Sequence, residues 1–248
     1  MSDQDDPRSA AGAPLQRLGV LTFRFGYRLR STDPDIRRQS GWQPENLRKR
    51  GFAPATLIDV GVARGTPSLY EAFPDAYLVL VEPLEEFESD LQQLVAGREG
   101  EYVLAAAGAD DGTKTIRIDP ERPFLSSLNT IAVPRREAPP AVERDVAVRS
   151  LDGLWRERDW KPPFGLKIDT EGFEHDVIRG AAEVLKHCQF VIAEVSVARR
   201  FDETPSFASF VSRMDESGFR LYDILDGQKG AVGGQVIWLD LLFRAKRS

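Results

Sequence analysis

An α/β domain on a mostly parallel sheet is the fold class this sequence predicts, and three features predict it. After Pro54, apolar runs of strand length alternate with helical stretches; a glycine turn follows the first run; and the chain closes on two apolar runs that read as an antiparallel pair. The 248 residues suffice for one sizeable core. The expected organisation is a disordered tail over 1–14, an N-terminal appendage over 15–50 making substrate or oligomer contacts, and the main domain over 51–248.

Composition excludes several classes. With 42% hydrophobic and 29% charged residues and no apolar run long enough to span a bilayer, a membrane span is not expected. A formal charge of -6 speaks against a nucleic-acid backbone as partner, because phosphate binding draws on a basic surface. The opening MSDQDDPRSAAGAP lacks the apolar core of a signal peptide, and the single cysteine, Cys188, fits a reducing compartment; both point to the cytoplasm.

Residues 15–50 are basic and mixed. Leu21, Phe23, Phe25, Tyr27 and Leu29 alternate as in a strand, while Leu18, Leu21, Phe25 and Leu29 equally fit a helix, so this segment stays ambiguous. Its arginines (Arg24, Arg28, Arg30, Arg37, Arg38) read as a solvated face, with an acidic substrate or a homo-oligomer surface as the alternative.

The regular part begins with TLIDVGVARG (strand and glycine turn), SLYEAF (helix), AYLVLVEP (strand) and EEFESDLQQLV (helix). YVLAAAGA reads as one further strand, and Asp111-Gly112 as the turn of an added hairpin. Residues 119–145 are proline-rich and aperiodic, a length that suits a lid or binding loop, with a plain surface linker as the equal alternative. VAVRSLDGLW reads as an edge strand and turn, FGLKIDT as a core strand, and EHDVIRGAAEVLKH as one helix. QFVIAEVSV is a core strand, SFASFVSRMDESGF a helix, and RLYDILDG with QVIWLDLLF the closing pair.

Asp59, Gly61 and Gly65 sit where the first strand turns toward its helix, on the side where α/β sheets bind ligands. Glu82 ends the second strand, the position from which a carboxylate accepts hydrogen bonds from ribose hydroxyls. Together they point to a nucleoside-bearing cofactor. A dinucleotide fingerprint from Gly61 would need glycines at 63 and 66, where Ala63 and Thr66 stand, so NAD and a dehydrogenase are disfavoured.

The strand LKID carries Lys167 and Asp169 on one face, where a doubly covered parallel sheet should be apolar. Lys167 therefore needs a partner, and Glu194, the charge within FVIAEV, is expected to supply it from the next strand. Glu174 and Asp176 suit a helix start, where the dipole favours negative charge. Asp169 and Glu171, nearest the strand end, are candidates for the chemistry, with His175 as a further acid–base candidate.

Three blocks, LIDVGVARG, LVLVEP and above all LKIDTEGFEHDVIRGA followed by FVIAEV, resemble the FkbM family of methyltransferases over roughly residues 55–197. The resemblance implies a Rossmann-like class I methyltransferase domain with a seven-stranded, mostly parallel sheet, one antiparallel closing strand and helices on both faces. It implies S-adenosylmethionine as methyl donor and O-methylation of a small hydroxylated acceptor such as a sugar, glycoside or natural product. By position, Asp59, Gly61 and Gly65 would line the methionine part of the cofactor, Glu82 would hold its ribose, and Ala106 would pass the adenine. Asp169 would face the transferred methyl, and Ser127 matches a serine near the family's site. Family members commonly read DVGANxG, whereas Val62 and Ala63 stand here, the one hint of a cofactor-binding protein without turnover. Several carboxylates at one crevice could also hold a divalent metal; base and metal stay open.

Overall fold

The computed structural model describes residues 41–129, 140–202, 204–230 and 234–246. Its elements, in chain order, begin with α1 (Pro44–Lys49), β1 (Thr56–Val60), α2 (Pro67–Ala72), β2 (Tyr77–Glu82), α3 (Glu88–Ala96) and β3 (Gly100–Leu104). There follow β4 (Ala106–Ala107), β5 (Gly112–Ile118), β6 (Val142–Arg149), α4 (Leu151–Arg158), β7 (Phe164–Ile168), α5 (Glu174–Arg179) and α6 (Ala182–Leu185). The chain closes with β8 (Cys188–Ser196), α7 (Phe207–Glu216), β9 (Phe219–Lys229) and β10 (Val236–Ala245).

Seven strands form one sheet in the order β3-β2-β1-β7-β8-β10-β9. Every neighbouring pair from β3 to β8 is parallel, and β10 runs antiparallel to both β8 and β9. The chain winds outward from β1 to β3 and then returns to place β7 on β1's other side. That reversal opens a crevice at the carboxyl ends of β1 and β7, where such sheets bind ligands. Strand alternation sends Leu57, Leu78, Leu80, Phe190 and Leu242 into one apolar layer and Val60, Val79, Leu166, Val191 and Phe243 into the other, so both faces are buried. Among the described residues no helix is long and apolar enough to cross a membrane.

Several local readings change. The run YVLAAAGA is two strands, because Ala105 N donates to Val103 O at 3.0 Å and bends the chain out of the main sheet. β4 then joins a second, three-stranded sheet in the order β4-β6-β5. The expected hairpin at Asp111-Gly112 is not a local one: β5 pairs antiparallel with β6, from Gly112 opposite Val148 to Ile118 opposite Val142. LDGLW is the start of α4, capped by Ser150, whose Oγ accepts from Gly153 N. The helix expected over 174–187 is broken at Gly180, where the chain passes so close to Gly108 that a Cβ would lie 1.9 Å from its carbonyl oxygen.

Residues 41–50 pack onto the main domain: Leu47 is buried, Trp42 Nε1 donates to Asp240 Oδ2 at 2.7 Å, and Arg50 pairs with Asp223. The tail 1–14, the rest of the appendage with its arginines, and residues 130–139 of the loop 119–145 lie outside the described residues.

Candidate active site

The crevice is built first from backbone. Gly61 follows β1 with φ 71°, and a Cβ on it would stand 1.8 Å from the carbonyl oxygen of Asp169. The ends of β1 and β7 therefore meet at a contact only glycine permits. Ala63 also has positive φ, 45°, and its amide donates to Glu82 Oε2 at 2.9 Å, while Leu84 N donates to Oε1 at 3.1 Å. The amide can come from any non-proline residue, so the Ala63 departure from the family pattern leaves this contact intact; Val62 is absorbed in the core beside Leu69. Glu82 is only 4% exposed, and burial pushes its carboxyl up to about 7 against the pull of the two amides.

A cleft, open at its mouth, is lined by Gly61, Glu82, Leu84, Ala106, Ile116 and Ser126. Small and apolar side chains make one end and the carboxylate the other. Ser126 Oγ, buried in its wall, has no hydrogen-bond partner among the described residues. An apolar slot, an acceptor suited to paired hydroxyls and an orphan hydroxyl fit a nucleoside.

Lys167 corrects an expectation. It pairs with Asp59 at 3.1 Å and with Asp169 at 3.5 Å, and not with Glu194. The reason is register: Lys167 stands opposite Asp59 in β1 and opposite Ile192 in β8, which leaves Glu194 two residues farther along. Asp59 is fully buried, accepts from Tyr70 Oη at 2.5 Å, and does not line the cleft. Asp59 and Tyr70 together hold the charge of Lys167, whose Nζ also donates to Gly61 O at 3.1 Å.

Beyond β7 the chain makes a tight loop with Glu171 at φ 50° and Gly172 at φ 103°. Glu174 Oε1 ties it from inside, accepting from Thr170 N, Thr170 Oγ1 and Gly172 N at 2.9–3.2 Å. The start of the long loop ties it from outside. Ser127 Oγ donates to Glu171 O and Asn129 Nδ2 to Gly172 O, each at 2.6 Å. Glu174 is thus a buried loop tie in addition to a helix-start acid, while Asp176 pairs with Arg179.

Asp169, Glu171 and Glu194 place oxygens within 4.8 Å of one another. Arg200 bridges Glu171 and Glu194, the latter at 2.8 Å. Burial pushes Glu171 up to about 7, opposed by Arg200, and raises the Glu194 carboxyl as well. His175 stands apart from this group and from the cleft: its ring packs edge-on against Phe210, 5.2 Å between centroids, and burial lowers its proton affinity. Sequence reasoning missed Arg200, Tyr70 and Asn129. Asp59 opposite Lys167 was open to detection, as the acid in the neighbouring core strand.

The model of the methyltransferase FkbM domain matches residues 59–221, which run from the end of β1 into the start of β9 and include every residue of this site. The chain belongs to the FkbM methyltransferase family. No curated protein sequence matches it. Among solved structures, this FkbM protein is similar to a Burkholderia thailandensis 1,6-didemethyltoxoflavin-N1-methyltransferase with bound S-adenosylhomocysteine, at 12% identity and TM-score 0.45, covering 86% of this chain and 82% of that one. It is also similar to a Synechocystis magnesium protoporphyrin IX methyltransferase, at 11% identity and TM-score 0.42 over 82% and 80% of the two chains. The family match and the strand order, not these distant likenesses, place the chain.

Proposed function

We propose that the protein is an S-adenosylmethionine-dependent O-methyltransferase acting on a hydroxyl of a small acceptor such as a sugar, glycoside or natural product. The observation that carries this reading is the adjacency of two unlike sites across Gly61. On one side is the nucleoside-shaped cleft with Glu82; on the other, the acidic group of Asp169 and Glu171.

Gly61, Glu82, Ala106 and Ser126 would hold the cofactor, Glu82 accepting from its ribose. Bound there, S-adenosylmethionine supplies an electrophilic methyl group on a sulfonium. An acceptor hydroxyl is a poor nucleophile until its proton leaves. Asp169, whose side chain is 35% exposed, is the acid an acceptor can reach, and Glu171 is its buried neighbour, held by Arg200. Holding oxygen, carbon and sulfur in line contributes roughly 7 to 11 kcal/mol in well-oriented reactions. An amino acceptor is disfavoured by the DTEG loop, which stands where amide and adenine N-methyltransferases typically carry an Asn/Asp-Pro-Pro-aromatic segment.

Calorimetric titration should show binding of S-adenosylmethionine and none of NAD. With a labelled methyl group and a panel of hydroxylated acceptors, Asp169→Asn should keep cofactor binding and lose about 10²–10⁴-fold in turnover. No cofactor binding at millimolar concentration, or full activity of the variant, would refute the reading; binding without transfer to any acceptor would favour a protein that keeps the cofactor without turnover.

A further inference from the structure

Asp169, Glu171 and Glu194 have the spacing of a divalent-cation site, yet a side chain of the protein already spans two of them. Arg200, just beyond β8, directs one nitrogen to Glu194 Oε1 at 2.8 Å and another to Glu171 Oε2. All three side chains are largely buried, and the Arg200 guanidinium also lies over the Phe201 ring, 5.1 Å from its centroid. The third carboxylate, Asp169, faces Lys167.

We propose that Arg200 is the resident cation of this acidic site, a positioning residue whose guanidinium takes the place of a divalent metal and holds Glu171 and Glu194 together beside Asp169. Its role as an aid to transfer rests on the function proposed above; its occupation of the cation position does not.

Three physical points support it. A planar guanidinium presents separate N–H groups in a fixed fork and so can satisfy two carboxylates on different elements, which one ammonium cannot do with the same geometry. Its charge is secure: burial works against it, but Glu171 and Glu194 outweigh burial and raise its proton affinity. Among the described residues, the cations paired with the four acids Asp59, Asp169, Glu171 and Glu194 are Lys167 and Arg200, with Glu174 and Asp240 adding negative charge nearby. Taking Arg200 away leaves Glu171 and Glu194 without their cation beside Asp169, a clustered oxygen set of the kind that hard divalent ions select.

The test is Mn²⁺ binding to the full-length protein, followed by electron paramagnetic resonance, for wild type, Arg200→Ala and Arg200→Ala/Glu194→Gln. Wild type should bind no Mn²⁺ at this site, and its methyl transfer should be unchanged by EDTA. Arg200→Ala should gain one Mn²⁺ site at least tenfold tighter than any in wild type, and the double variant should lose it again. The turnover of Arg200→Ala should fall about 100-fold with cofactor affinity kept, and added Mn²⁺ or guanidinium should restore part of it, which a purely structural role would not allow. Wild-type Mn²⁺ binding that Glu194→Gln abolishes would overturn the proposal, as would a folded Arg200→Ala protein without metal affinity. Should Arg200→Ala not fold, Arg200→Gln and the wild-type titration carry the same decision. The binding results need no acceptor, so absence of methyl transfer would count against the proposed function alone.

Discussion

Glu82→Gln isolates the energetic cost of the carboxylate at the cleft. In the folded protein the group titrates near 7, against about 4.5 for an ordinary glutamate, and burial is the main cause. The folded state therefore holds the proton more tightly than the unfolded chain, so the protein loses stability as pH rises from about 4.5 to about 7 and then levels off. With those two values, the loss between pH 5 and pH 8 is roughly 2 to 3 kcal/mol. Glutamine cannot ionise and lacks this contribution, while it pays a pH-independent cost because its amide cannot accept from both Ala63 N and Leu84 N. Urea unfolding of both proteins at pH 5 and pH 8, without cofactor, gives the double difference, in which the other buried acids Glu171, Glu174 and Glu194 cancel. The variant should move by roughly 2 to 3 kcal/mol toward wild type, or past it, as pH rises. A double difference near zero would mean that Glu82 is ionised at ordinary affinity and that burial does not govern it. Separately, the variant should bind S-adenosylmethionine more weakly, since one ribose acceptor is replaced by a donor.

Two further predictions test the frame around the cleft. Gly61→Ala should destabilise the protein by about 3 kcal/mol or more, read as a lower thermal midpoint, because both its φ and the Asp169 carbonyl oppose a Cβ; an unchanged midpoint would contradict the close approach of β1 and β7. Lys167→Met should cost about 3 to 5 kcal/mol by leaving Asp59 buried without its cation, and adding Asp59→Asn should recover part of that in chemical denaturation; additive losses would show that the two do not act as a pair.

Much of the site is visible in sequence because its signals are local. A glycine with positive φ after an apolar strand, an acid ending the next strand and the DTEG loop are each fixed by the backbone conformation of a few neighbouring residues. Ser127 is expected near the site only from the family resemblance; in the structure its hydroxyl donates to the carbonyl of Glu171 in that loop. His175 looked suitable by chemistry alone, but its direction depends on α7, which puts Phe210 against it.

The alternation of elements, their parallel order and the antiparallel closing strand were determined by the sequence itself, since strand and helix periods are properties of consecutive side chains. Only the tertiary structure decided which charges meet. The registers set Lys167 opposite Asp59 in β1 and opposite Ile192 in β8, two residues short of Glu194, so the lysine pairs with Asp59 and Glu194 with Arg200. Likewise the bend at Ala105 sends β4 into a second sheet whose β5 and β6 join across the long loop. The physical reason is the same in both cases. Partners in a sheet are chosen by register and packing between segments far apart in the chain, and a buried charge takes the opposite charge that this geometry brings within reach.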